Sequence, residues 1–255
     1  MKKYLSNHLF VLFIFAITGS LSAQSTETRN LGSFDEVIVS EGIKAKLRKG
    51  NSNRIKIEAE NIALDLIRTD IRGDELRIHI GNDWKRKNRN INVKVYLTFT
   101  DLEALHANSG AYVILEDEIT SNSFDASVGS GANIKAEETI HAKEMDIDAS
   151  SGAYMSLLDI DADELEVDVS SGGKIEVEGG KVNSMEVDVN SSGKLDAYNL
   201  KCRYVDADAS SGGGVKIYAH TGLKANSSSG GWVYYKGSPD KVVERSSSGG
   251  RVKAQ

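Results

Sequence analysis

A tight Ser-Gly corner returns at nearly constant spacing through the second half of this chain, and no other feature limits its fold so strongly. The copies are Ser109-Gly110, Ser130-Gly131, Ser151-Gly152, Ser171-Gly172, Ser211-Gly212, Ser229-Gly230 and Ser248-Gly249. An eighth, Asn190-Ser191-Ser192-Gly193, has Ser192 where the others have their first glycine. With the residue after the column serine as position zero, the spacings are 21, 21, 20, 20, 20, 18 and 19. A period of this size marks a stacked-repeat architecture. Glycine is frequent (24) and proline nearly absent (1), as repeated tight corners require.

The flanks keep the same register. Before the corner, alternate positions are mostly apolar: Phe124/Ala126/Val128, Met145/Ile147/Ala149, Leu165/Val167/Val169, Met185/Val187/Val189 and Val205/Ala207/Ala209. After it, apolar residues return in pairs such as Val113/Leu115, Ile134/Ala136, Met155/Leu157, Ile175/Val177 and Val215/Ile217. Period two on both sides of a glycine bend predicts two strands per repeat. A third stretch adds one apolar residue in most copies: Ile119, Ile140, Ile160, Val182 and Leu200. One such coil cannot bury its own inner face, but a stack of coils can. The expected fold is all-β, a parallel β-helix or solenoid with coils of about 20 residues. Coils varying from 18 to 21 residues favour the right-handed form over the stricter hexapeptide helix. A β-propeller is the alternative, but its blades need about 40 residues.

Stacking turns each repeat position into a column. Ser109, Ser130, Ser151, Ser171, Ser191, Ser211, Ser229 and Ser248 form one, read as structural corners whose hydroxyls could bond in a ladder. Nucleophilic roles for them lack an accompanying histidine. A second column is acidic: Asp146/Asp148, Glu166/Asp168, Glu186/Asp188 and Asp206/Asp208, with Asp125 one coil earlier. Stacked like charges repel, so the column is either a solvated face or a place for a bridging Ca²⁺. No known Ca²⁺-loop spacing is present, and no other cofactor is indicated. The second position after the corner also points outward and carries Tyr112, Tyr154, Lys174, Lys194 and Trp232, the candidate ligand-binding residues. Aromatic and long polar side chains on a flat sheet suit glycan or protein contact, and they are also ordinary strand residues.

The first residues carry a different signal. Lys2 and Lys3 precede an apolar run, Leu9 to Ile17, and small residues lead to Ala23 before Gln24. This reads as a cleavable Sec-type signal peptide over 1–23, sending the chain to the periplasm, the cell surface or the medium. The run is too short to span a bilayer, so no transmembrane span is expected in the mature chain. Without Lys2 and Lys3 the formal charge of −6 becomes −8, which argues against nucleic acid as a partner. The single cysteine, Cys202, cannot form an intramolecular disulfide and reads as a small buried or half-buried side chain. Residues 24–30 read as a linker, 31–105 as an N-terminal β segment that caps and continues into the solenoid, and 106–255 as the repeat itself. Within 31–105, residues 61–71 suit a helical turn or a strand equally. The basic run Lys85-Arg86-Lys87-Asn88-Arg89 reads as a solvated turn.

The order of Phe34-Asp35-Glu36-Val37, Gly42-Ile43, Gly73-Asp74-Glu75-Leu76-Arg77-Ile78 and serial Ser-Gly-Ala/Gly corners resembles the bacterial auto-transporter adhesin family with a head GIN domain. Lys44 stands where that pattern has Asn, and Thr100-Asp101-Leu102 replaces a proline-containing turn. The resemblance covers nearly all the mature chain and implies an exported β-helical protein; it brings no active site. The expected function is therefore a non-catalytic, adhesin-like envelope or surface protein that binds a glycan or a protein partner along flat faces. A polysaccharide lyase or hydrolase on the same scaffold is the alternative, as is a purely structural or assembly role. Repeat symmetry singles out no carboxylate pair for catalysis.

Overall fold

The computed structural model describes residues 25–81 and 90–255. The expected signal peptide, with its expected cleavage after Ala23, and the basic run 85–89 lie outside these residues. Alternating apolar positions become strands that pair in parallel with the neighbouring coil, in register over many residues. Each coil has a strand before the corner, a strand after it and a short third side. Inward side chains such as Ile147, Val167, Val187 and Ala207 stack into a continuous core. Burying one aliphatic side chain contributes about 1.5–3 kcal/mol, and the stack buries several per coil.

Among the described residues the corner column has nine members. Ser109 and Gly110 both take positive φ (53° and 74°), as do the corresponding pairs down the repeat. The amide of Ala111 donates to the Asn108 carbonyl at 3.1 Å. This is the type I′ pattern, in which both central residues are left-handed. The ninth corner, Glu41-Gly42 (φ 62° and 72°), escaped the sequence search because it lacks the serine. The expected hydroxyl ladder is not what joins the corners. The amide at position zero donates to the serine carbonyl of the next coil, as in Gly110 to Ser130 and Gly131 to Ser151 at 3.1 Å. Left-handed backbone turns these amides and carbonyls along the stacking direction, so the main chain makes the ladder. Among the described residues no hydroxyl–hydroxyl bond links the column serines.

The first coil consists of β2 (Glu36–Val39), the Glu41-Gly42 corner and β3 (Lys44–Lys49), with β1 (Ser25–Asn30) ahead of it. The chain then leaves the stack through β4 (Arg54–Glu60), a 3₁₀ turn at Leu64–Leu66, β5 (Ile67–Arg72), β6 (Glu75–Ile80) and β7 (Asn92–Phe99). It resumes stacking at β8 (Ala104–Ala107) and β9 (Tyr112–Leu115), which pair in parallel with β2 and β3. The excursion covers the other edge of the first coil. β6 and β7 add in parallel to β2 and β3, then β5, β4 and β1 continue the two sheets antiparallel. Residues 61–71 thus hold both the helical turn and the strand. Residues 25–30, expected as linker, are β1. Their polar sequence hid a rim strand, and polar side chains are what blunt an exposed sheet edge. Arg29 on β1 reaches across the end of the core. Its guanidinium donates to the carbonyls of Ile67 (2.6 Å) and Leu64 (2.9 Å) and pairs with Glu27 (2.8 Å).

The third side departs from expectation at one point. Ile119, Ile140 and Ile160 stack as predicted, but the next residue in that row is Gly180. Val182 stacks on Ala162 and under Cys202 instead. An added Cβ at Gly180 would lie 2.0 Å from the Ile160 carbonyl oxygen, so only glycine fits where the coil shortens. Cys202 is buried, as expected, and burial pushes its thiol up to about 12.

Candidate surface rows

Because inward positions fill the core, the intervening positions form outer rows on two sheets. The sheet before the corner carries the acidic column. Asp146, Glu166, Glu186 and Asp206 lie side by side on successive strands, and Asp148, Asp168, Asp188 and Asp208 form the next row. Burial and the neighbouring Asp168 raise the pKa of Asp148, and burial and Asp208 raise that of Asp188. Glu166 is raised chiefly by Asp146. The rows close at Lys224, which pairs with Asp206 at 2.7 Å. Among the described residues no three His, Cys, Asp or Glu side chains converge closely enough to hold a metal ion. The ladder spreads the carboxylates along the sheet instead.

The sheet after the corner has the opposite character. The five ligand candidates fall in one row of directly paired positions, with Tyr112, Asn133, Tyr154, Lys174 and Lys194 contiguous. Trp232 lies in the same row beyond Gly214. Its indole crosses that glycine, since an added Cβ there would meet Cζ2 at 2.1 Å. It also stacks on Tyr234 with centroids 4.8 Å apart. Trp232 thus has a packing role that the sequence did not reveal. Two residues missed from the sequence extend the row at its other end: Lys44 faces Tyr112, and Lys94 faces Lys44. Lys44 belongs to the serine-less coil and Lys94 to the excursion, so neither shares the repeat spacing. Tyr96 and Tyr112 are exposed and, with Lys44, Lys46 and Lys94, line a shallow groove of about 210 Å³. Lys174 sits over the Tyr154 ring at 5.5 Å and also pairs with Glu176, which accepts the Tyr154 hydroxyl. That pairing holds the Glu176 carboxyl below the usual range, with the Lys174 contact as the largest cause.

One constellation was invisible in the sequence. Ser127 Oγ lies 2.6 Å from His106 Nδ1, whose Nε2 is 3.2 Å from Glu36. The residues come from three successive coils, and no motif links them. A Ser–His–carboxylate set can activate a hydroxyl. Acyl transfer also needs donors for the developing oxyanion. Here the flanking amides are engaged in the ladder, Asp125 to Glu103 (2.9 Å) and Gly129 to Ala107 (2.9 Å).

This architecture is that of a parallel β-solenoid with coils of about 20 residues, corners in one column and flat sheets ordered in outer rows. The chain belongs to the family described as "Putative auto-transporter adhesin, head GIN domain", whose model matches residues 33–159 and 125–239. No curated protein matches it in sequence. A "putative adhesin" from Parabacteroides distasonis superposes with TM-score 0.86 at 18% identity, over 92% of this chain and 98% of that one. A "putative adhesin" from Parabacteroides merdae gives 0.83 at 17%, over 92% and 97%. A "Putative lipid binding protein" from P. distasonis gives 0.82 at 20%, over 92% and 98%. At these identities the likeness is one of fold. Among the described residues no helix is long and apolar enough to cross a membrane.

Proposed function

We propose that this is an exported, non-catalytic envelope or surface protein that binds a glycan or a protein partner along the flat sheet after the corner. The observation that carries the reading is the single row of outward tyrosines and lysines on an uninterrupted sheet. The signal-like residues 1–23 support export, and the adhesin family supports surface recognition. Ser127, His106 and Glu36 favour one second reading, a hydrolase, although the amides of Asp125 and Gly129 beside them are engaged in the ladder. Both readings are tested by incubating the purified protein with a polysaccharide panel, following pull-down and new reducing or unsaturated ends. The expected result is binding without new ends, weakened at least tenfold by Tyr112→Ala with Tyr154→Ala. New ends that vanish in Ser127→Ala would overturn the non-catalytic reading.

A further inference from the structure

The ligand row has an order that the repeat spacing does not explain. Read across the coils it runs Lys94, Lys44, Tyr112, Asn133, Tyr154, Lys174, Lys194. Two tyrosines flank a central asparagine, and a pair of lysines lies on either side of them before the row passes to Glu58 at one end and to Gly214 and Trp232 at the other. At about 4.8 Å per strand the row is about 29 Å long.

Like charges placed directly opposite on adjacent strands oppose folding, and this row does so twice. Lys44, Lys94 and Lys194 have no paired carboxylate within 4.0 Å among the described residues, whereas neighbouring Lys46 and Lys174 do. Lys44 and Lys194 are therefore left without a paired carboxylate among the described residues, while Lys94 lies opposite Glu58, which itself pairs with Lys56. Tyr112 is 41% exposed between Lys44 and Lys194. The sheet before the corner is strongly acidic and would repel any polyanion, so only one broad sheet of the solenoid can receive it.

We propose that this row is a track for an acidic polysaccharide lying along the solenoid axis, with sugar rings against Tyr112 and Tyr154 and carboxylate or sulfate groups on the two lysine pairs. The inference rests on the glycan-binding form of the function proposed above and adds the charge and direction of the ligand. A strand-to-strand rise along a straight row suits a linear polymer better than a compact headgroup. The chain's net charge of −6 means that general attraction to polyanions is not expected.

The test is affinity electrophoresis of the purified protein through gels containing dextran sulfate, polygalacturonate or neutral dextran at 0.15 M salt. Retardation is expected with both acidic polymers and not with dextran. Lys44→Gln with Lys94→Gln, and separately Lys174→Gln with Lys194→Gln, should each weaken binding at least tenfold. Lys143→Gln with Lys201→Gln, which removes the same charge away from the row, should leave it unchanged. Thermal melts check that each variant folds. Binding to neutral dextran that the row variants do not change would overturn the acidic track and leave glycan binding standing. No binding to any polysaccharide would remove the track together with the glycan form of the proposed function. Equal retardation by single-stranded DNA, lost in the same variants, would overturn the choice of a saccharide.

Discussion

Ser192 holds φ 64° at the position that glycine occupies in the other eight corners. A side chain in left-handed backbone costs about 1–2 kcal/mol, partly offset by the greater chain entropy that glycine loses. Ser192→Gly is therefore expected to stabilise the protein by up to about 1 kcal/mol, which raises the melting temperature by about 2–4 °C in a domain of this size. A thermal melt checks it, and an unchanged or lower value would show that the corner carries no strain at this residue. The residue that follows position zero tells a related story. It is Ala132 and Ala153 where the preceding spacing is 21, and Gly173 where it first falls to 20. An added Cβ at Gly173 would lie 2.4 Å from the Ala149 carbonyl oxygen, so the shorter coil brings the previous one too close for a methyl group. At the other end of the stack, Arg29→Ala would leave the Ile67 and Leu64 carbonyls without their charged donor. A loss of about 1–3 kcal/mol is expected, read from denaturant unfolding.

The acidic rows make stability depend on pH in an unusual direction. Burial raises the pKa of Asp125, Asp148 and Asp188, and neighbouring carboxylates raise it further. Such groups bind protons more readily folded than unfolded, so their favourable contribution is complete below the unfolded value and is lost as pH rises through the folded one. Five other carboxyls, Glu27, Glu58, Glu75, Glu116 and Glu176, are lowered, chiefly by hydrogen bonds from Arg29, Lys56, Arg77, Lys46 and Lys174. Their contribution is present above the unfolded value and is lost as pH falls through the lowered one. The two sets act on either side of the ordinary carboxylate range of about 4. As pH is lowered from neutral toward that range the melting temperature should therefore rise first, and it should fall again on further acidification. Asp148→Asn with Asp188→Asn should flatten the rise. A steady fall from neutral pH downward in the native chain would contradict the repulsion. The acidic column itself was plain from the repeat spacing, since every member shares one register. The raised pKa of Asp125 was not, because its Oδ1 is buried near His106 of the coil before.

A solenoid is held by contacts between neighbouring coils, so protection should follow the number of neighbours each coil has. The middle coils are covered on both sides, and the first coil is covered by β6 and β7. The strand Lys241–Ser246 pairs only with Gly222–Ser227 among the described residues, and all six of its residues are exposed. Its inward register position Glu244 replaces the apolar residue of earlier coils and accepts the Tyr235 hydroxyl at 2.9 Å. Hydrogen exchange is expected to be slowest between residues 140 and 220 and to quicken by several orders of magnitude over Lys241–Ala254. Uniform protection along the chain would show that the molecule opens as one unit rather than coil by coil.

The repeat alone determined the coil length, the inward and outward positions and the column of serine corners. All of these follow from period-two alternation locked to a recurrent bend, which is local information repeated down the chain. The tertiary structure decided what does not repeat. β1 and the excursion from β4 to β7 have no periodic mark, because antiparallel strands that cover an end need only match the one edge they meet. For the same reason Lys44 and Lys94 joined Tyr112 in one row only when strands distant in sequence were paired. The Ser127–His106–Glu36 set likewise exists only across three stacked coils. Spacing along the chain reveals what each coil does in common with the others, while adjacency between coils is set by ladder pairing that the chain order does not display.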